Sequence, residues 1–177
     1  MCGIIGISSN KSVSANIIDC LKKLEYRGYD SAGIATLSGG IINEVKSEGR
    51  VDNLEKNFDL KKLSGNIGIG HVRWATHGIP NSVNAHPHSS DNVSVVHNGI
   101  IENSTLLKKD LVSKGHMFKS QTDTEVIAHL ITENLKTFEL QDAITKTLKQ
   151  LHGSFALGII FKDKSDLIIG ARRGSPL

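Results

Sequence analysis

Met1-Cys2-Gly3-Ile4-Ile5-Gly6-Ile7 opens the chain, and the fold is read outward from it. An apolar run studded with glycines and too short for a helix reads as a buried strand, Cys2 to Ser8. Cysteine is small, so aminopeptidase removal of Met1 would leave Cys2 with a free α-amine. Such an amine titrates near about 7.7–8.0 and a thiol near about 8.5, a pair matched for proton transfer. The amine can then act as base for its own side chain. The competing reading makes Cys2 a small apolar residue in a strand, and both stand on these seven residues.

The chain has 177 residues, of which 38% are hydrophobic and 22% charged, a composition that fits one packed domain and excludes a disordered tract. Its net charge is only +3, and Lys and Arg are scattered rather than striped. No nucleic-acid partner is expected. Two cysteines, Cys2 and Cys20, no signal-like leader and no long apolar run point to a reducing, cytoplasmic setting away from membranes.

Further along, the pattern predicts a helix from Ser12 or Ser14 to about Tyr26, with Ile17, Leu21 and Leu24 on one face and Cys20 a buried free thiol near it. Gly33 to Leu37, Ser38-Gly39-Gly40 and Ile41 to Val45 read as a hairpin. Val51, Leu54, Phe58 and Leu63 mark a second helix. Asn66 to Trp74 returns to strand, and Ala75 to Asp91 reads as a long loop. Val93 to His97 is a strand ending at Asn98-Gly99. Helices follow from Glu102 to Lys114, after Thr122 or Asp123, and from Leu140 to Leu151. Ser154 to Phe161 and Leu167 to Ala171 close the chain as strands. Strands early and late with helices grouped between them argue for an α+β fold with largely antiparallel sheets. The chain stops at Leu177 directly after a strand, which suggests truncation.

Several clusters could carry chemistry. Arg73, opening Arg73-Trp74-Ala75-Thr76-His77-Gly78, could clamp a carboxylate through paired hydrogen bonds or make a surface ion pair. Trp74 reads as core, with a movable cover as the alternative. Asn98-Gly99 is either a hairpin turn or a pair of donors, the Asn98 amide and the Gly99 N–H, aimed at a developing oxyanion. Thr122 and Glu125 have capping-box spacing, which leaves Asp123 free to hold an ammonium group. A carboxylate anchor facing a guanidinium anchor suits an amino-acid zwitterion. His71, His77, His86, His88 and His97 invite a metal reading, but no H-E-x-x-H or C-x-x-C spacing supports one, and neither metal nor cofactor is expected.

Taken together, Cys2-Gly3-Ile4-Ile5-Gly6, Leu24-Glu25-Tyr26-Arg27-Gly28-Tyr29-Asp30-Ser31-Ala32-Gly33, Arg73 to Gly78, Asn84 to His88, His97 to Asn103, Thr122 to Ile127 and Ala171 to Leu177 resemble, in order, the glutaminase domain of the class II (N-terminal nucleophile) glutamine amidotransferases. The Glu25 to Gly33 segment is similar to the sugar-phosphate branch rather than to the purine-pathway or asparagine-forming branches. The resemblance implies an αββα sandwich of two antiparallel sheets, the N-terminal nucleophile hydrolase fold, spanning residues 1–177 as one glutaminase domain. It implies Cys2 as nucleophile, Asn98 and Gly99 as oxyanion hole, Arg73 on the glutamine α-carboxylate and Asp123 on its α-amine. Thr76 and His77 would line the pocket, Trp74 would gate the ammonia route, His86 would sit on the neighbouring loop, and Arg27 would orient the nucleophile.

By the same resemblance L-glutamine is the substrate. Its ammonia would serve the conversion of fructose-6-phosphate to glucosamine-6-phosphate on downstream sugar-isomerase domains, which lie outside this sequence. The longer protein would be a homodimer and this part alone a monomer. Val72 and Gln121 depart from the family's usual Thr and Glu without touching an assigned residue. Two other expectations compete: a non-catalytic glutamine sensor of the same fold, and the glutaminase half of another class II amidotransferase.

Overall fold

The computed structural model describes residues 2–59, 62–76 and 78–177. In chain order the elements are β1 (Gly3–Ser8), α1 (Ser14–Leu24), β2 (Ser31–Ser38), β3 (Ile41–Glu48), α2 (Asp52–Asn57), β4 (Ile67–Arg73), β5 (His88–Ser90), β6 (Val93–Ile101), α3 (Ser104–Ser113), α4 (Glu125–Leu135), α5 (Leu140–Gln150), β7 (Gly153–Phe161) and β8 (Ile168–Arg173). They form two four-stranded sheets, ordered β1-β4-β2-β3 and β5-β6-β7-β8, and every strand pairing within them is antiparallel.

Three apolar layers explain the stacking. Ile17, Ile18 and Leu21 of α1 and Leu54 of α2 pack with Ala32, Ile34 and Val72 on the outside of the first sheet. Val126, Ile127, Leu130 and Ile131 of α4 join Val93, Val95, Leu157 and Ile159 on the outside of the second. Between the sheets lie Ala35, Leu37, Ile67, Ile69, Val96 and Ile160. This is the αββα sandwich. β4 is buried along its whole length, which explains why it reads as an unbroken apolar and small run rather than an alternating one.

The structure corrects several local expectations. The predicted second helix shrinks to Asp52–Asn57; Val51 and Leu54 are buried, Phe58 lies beyond its end with 36% exposure, and Leu63 is buried in a later segment. The stretch 75–91 is not a loop without structure of its own: Asn84 to His88 are buried and His88–Ser90 form β5. Cys20 is half-buried rather than buried. Asn98 and Gly99 neither end a strand nor turn, because β6 runs through them to Ile101 in register with β7. The capping box is not made. Thr124 holds the N-cap position of α4, and the Glu125 carboxylate instead accepts the backbone N–H groups of Lys119 and Ser120 at 2.9 and 2.6 Å.

Gly33 shows how the buried loop meets the sheet. A Cβ built there would stand 2.1 Å from the His86 carbonyl oxygen, so only glycine lets the chain at His86 lie on β2. Gly33→Ala is expected to destabilise the protein by about 1–3 kcal/mol, the usual cost of overpacking. Urea denaturation of the two proteins checks this, and equal midpoints would contradict the packing described.

Candidate active site

Cys2 enters at the junction of the two sheets, and its carbonyl oxygen is held from two directions. Arg27 Nε, from the turn after α1, donates to it at 2.9 Å, and Asn98 Nδ2, from β6, donates at 3.1 Å. The thiol is set by the end of β4: the Trp74 N–H donates to Sγ at 3.3 Å, and Sγ lies 3.6 Å from the Trp74 carbonyl. Burial pushes the Cys2 thiol up; the Trp74 N–H and the Arg73 guanidinium oppose it, without prevailing. A thiol held mostly protonated needs a base at the moment of attack.

A small cavity of about 20 Å³ beside the thiol is lined by Cys2, Arg73, Trp74, Thr76, His86, His97, Gly99, Thr122, Asp123 and Thr124. That is room for about one water molecule, so an amino acid enters only if its walls move. Trp74 and Thr76 are the exposed walls, Trp74 at 46%; the tryptophan is therefore not core. Its ring meets Tyr29 edge-on at 5.8 Å. Its backbone is anchored by Asp30, whose carboxylate accepts the Ala75 N–H at 2.7 Å.

Arg73 is 3% exposed. Burial lowers its pKa, against the pull of Cys2, Asp30 and Asp123, and its guanidinium donates to the carbonyls of Ile79 and Gly78, each at 3.4 Å. These long bonds tie the 78–79 segment to the guanidinium. Asp123, at the foot of α4, accepts the Ile101 N–H at 2.7 Å. Thus Cys2, Arg73, Trp74, Thr76, His86, Gly99 and Asp123 share one cavity. Asn98 and Arg27, which hold the Cys2 carbonyl, also line a second cavity of about 180 Å³ together with Cys2, Gly3, Ile4, Leu24, Pro176 and Leu177. His77 lies outside the described residues.

Gly99 owes its identity to β7. It has φ of +142°, and a Cβ there would stand 2.1 Å from the Ser154 carbonyl oxygen. The Asn-Gly pair that reads as a turn is thus a strand segment where two backbones come too close for a side chain.

Sequence reasoning left out a network of buried imidazoles behind the cavity. His71 and His86 stack at 4.0 Å, and His86 meets His88 edge-on at 4.7 Å. His71 Nε2 donates to the His97 carbonyl at 2.9 Å. Thr124 Oγ1 sits 2.8 Å from His86 Nε2 and 2.9 Å from His97 Nδ1, and Thr122 Oγ1 lies 3.0 Å from His88 Nε2. Burial drives His71 and His88 down to about 3 and lowers His86 and His97 as well. His71, His86, His88 and His97, noted as candidate metal ligands, are here neutral partners of hydroxyls and a carbonyl. Among the described residues no group of three or more His, Cys, Asp or Glu is arranged to hold a metal ion.

A larger cavity of about 420 Å³ lies behind this network, between Glu44, Lys46, Phe58, Val83, His88, Lys119 and Glu125. Burial alone would raise the Glu125 carboxyl, but the His129 ring 3.5 Å away and hydrogen bonds from the Lys119 and Ser120 N–H groups bring it to about 2. That carboxylate ties down the segment leading to Asp123.

Two facing antiparallel sheets clad by helices, with a thiol at the entry of the first strand, make this an N-terminal nucleophile hydrolase fold. Residues 71–174, more than half of the chain, match the family described as glutamine amidotransferase domain, and the chain belongs to that family. It is 54% identical over 178 residues to a glutamine–fructose-6-phosphate aminotransferase (isomerizing) of Mesorhizobium japonicum, covering 100% of this chain and 29% of that protein. The namesake from Pyrococcus horikoshii is 54% identical over 180 residues, covering 100% and 30%. The chain therefore spans under a third of these relatives. Among solved structures, the glutamine phosphoribosylpyrophosphate amidotransferase of B. subtilis superposes with a TM-score of 0.84 at 32% identity, over 97% of this chain and 37% of that one. No helix among the described residues is long and apolar enough to cross a membrane.

The neutral histidines give stability a sign with pH. Folded His71 and His88 stay unprotonated down to about pH 3, while in the unfolded chain they take protons near pH 6.5. The unfolded state therefore binds more protons between those values. Their contribution is fully present above about pH 6.5 and is lost as pH falls toward 3, by at most about 1.4 kcal/mol per pH unit for each imidazole. Denaturant titrations at pH 7 and pH 5 are expected to show lower stability at pH 5, with a shallower drop in His88→Gln. Equal stability at the two pH values would contradict burial of the neutral rings.

Proposed function

We propose that the chain hydrolyses L-glutamine to glutamate and ammonia through a thioester on Cys2. One observation carries this reading: the Cys2 thiol shares a cavity with a buried guanidinium, Arg73, and a carboxylate, Asp123. A glutamine zwitterion placed between those two charges presents its side-chain amide to the thiol. Removal of Met1 frees the Cys2 α-amine. The amine takes the thiol proton as sulfur attacks the γ-carbonyl carbon, and an S–C bond forms. The Gly99 N–H and the second amide proton of Asn98 stabilise the oxyanion, the first being engaged by the Cys2 carbonyl. The C–N bond then breaks, and the protonated amine returns its proton to the departing ammonia. Water hydrolyses the thioester, giving glutamate and the free thiol.

Thr76 lines the pocket, His86 supports it from the loop, and Trp74 gates the ammonia route. Arg27 orients Cys2 through its carbonyl. Residues 1–177 act as one glutaminase unit. In a longer protein of the kind its relatives represent, the ammonia would convert fructose-6-phosphate to glucosamine-6-phosphate on sugar-isomerase domains. Such a protein would work in the cytoplasm as a homodimer.

Cys2→Ala is expected to abolish glutamate release from glutamine, and turnover persisting in it would contradict the mechanism. Arg73→Lys keeps the charge but loses the two-pronged geometry, and is expected to raise KM for glutamine at least about tenfold, the loss of roughly one charge-assisted hydrogen bond. Steady-state kinetics with glutamine as the only substrate checks both.

A further inference from the structure

Thr124 is 1% exposed, follows Asp123 directly, and makes no capping bond to its own helix. Its hydroxyl is spent on two imidazoles from different elements: His86 Nε2 of the buried loop at 2.8 Å and His97 Nδ1 of β6 at 2.9 Å. His97 immediately precedes Asn98 and Gly99. Its carbonyl, which opens the 97–98 peptide, accepts from His71 Nε2 at 2.9 Å. On the far side of the same pair, the Asp123 carboxylate accepts the Ile101 N–H at 2.7 Å. The dipeptide Asp123-Thr124 therefore grips β6 at residues 97 and 101 and brackets Asn98-Gly99 between the two holds.

We propose that Thr124 is a positioning residue for amide cleavage: its hydroxyl joins His97 to His86 and so fixes the β6 segment carrying Asn98 and Gly99 relative to Cys2 and Asp123. The inference rests on the glutaminase reading given above. A hydroxyl has one proton, so it donates to one imidazole nitrogen and accepts an N–H from the other. The two rings must present opposite forms to it, one of His86 Nε2 and His97 Nδ1 protonated and the other bare. Both rings are neutral, because burial lowers their pKa values, so the arrangement holds at neutral pH. Threonine suits the position better than serine on packing and equally on hydrogen bonding, while valine matches its shape and cannot bridge.

The residue acts through donors that meet charge only in the transition state, so its loss falls on kcat rather than on glutamine binding. In the intact protein, Thr124→Val is expected to lower kcat by about tenfold to a hundredfold, the scale of a small misplacement of reacting groups, with KM for glutamine little changed. Turnover is counted per Cys2 titrated by a chloromethyl ketone analogue of glutamine, so that protein lost to misfolding does not enter. Thr124→Ser is expected to restore most of kcat. Histidine ¹⁵N spectra should show one pyrrole-like and one pyridine-like nitrogen for His86 Nε2 and His97 Nδ1 in the wild type and in Thr124→Ser, and loss of that pairing in Thr124→Val. Unchanged kcat per titrated site in Thr124→Val, or a Thr124→Ser enzyme as slow as the valine variant, would overturn the inference while leaving the glutaminase reading intact. A wild type without glutaminase turnover would overturn that reading, and this inference with it.

Discussion

The carbonyl oxygen of Cys2 accepts two donors, Arg27 Nε from the first sheet's side and Asn98 Nδ2 from the second. That double hold is the constraint from which the rest of the site follows. A residue at the start of a chain ordinarily frays, because few contacts order it. Here the first strand is pinned across the gap between the sheets, while the Trp74 N–H sets the sulfur. Every other functional side chain has meaning only relative to a thiol that does not wander, and near-attack geometry depends on that fixity.

Construction around that point divides the labour between the sheets. The first supplies Cys2 from β1 and, from the buried end of β4, Arg73 and the Trp74 backbone. The second supplies Asn98 and Gly99 from β6, with Asp123 and Thr124 at the start of the helix packed behind it. The small cavity lies where the two sets meet. The stacked His71 and His86 carry the packing across the gap. Rings that are neutral, buried and hydrogen-bonded to carbonyl or hydroxyl groups make a polar layer without buried charge, which would be far more costly. A cavity this tight also means that binding and wall movement are coupled. The exposed Trp74 and Thr76 are the walls least restrained by packing.

Much of this was legible in the residues alone. Apolar runs and glycine-rich punctuation located seven of the strands and the principal helices, because burial on one or both faces writes a period into the chain. The short β5 escaped, since three residues, His88-Ser89-Ser90, carry no period. Asn98-Gly99 carries a strong turn signal, yet the strand continues through it; the glycine answers to the Ser154 carbonyl, a contact made 55 residues away and invisible to local reading. The Thr122–Glu125 spacing failed as a cap for a similar reason: the Glu125 carboxylate finds two backbone N–H groups in the preceding loop. Individual histidines could be named, but their convergence on Thr122 and Thr124 is a product of tertiary packing. Thr124 itself gave no signal, being one threonine beside a plausible capping motif.

The central claim, that glutamine's amide is cleaved on the Cys2 sulfur, is tested most directly by catching the intermediate. The protein would be mixed with glutamine, quenched in acid within a turnover and digested, and the N-terminal peptide weighed by mass spectrometry. The account predicts one γ-glutamyl group on Cys2, in a peptide lacking Met1, that forms and decays as glutamate is released. Turnover with an unmodified Cys2, or a γ-glutamyl group carried elsewhere in the chain, would contradict it.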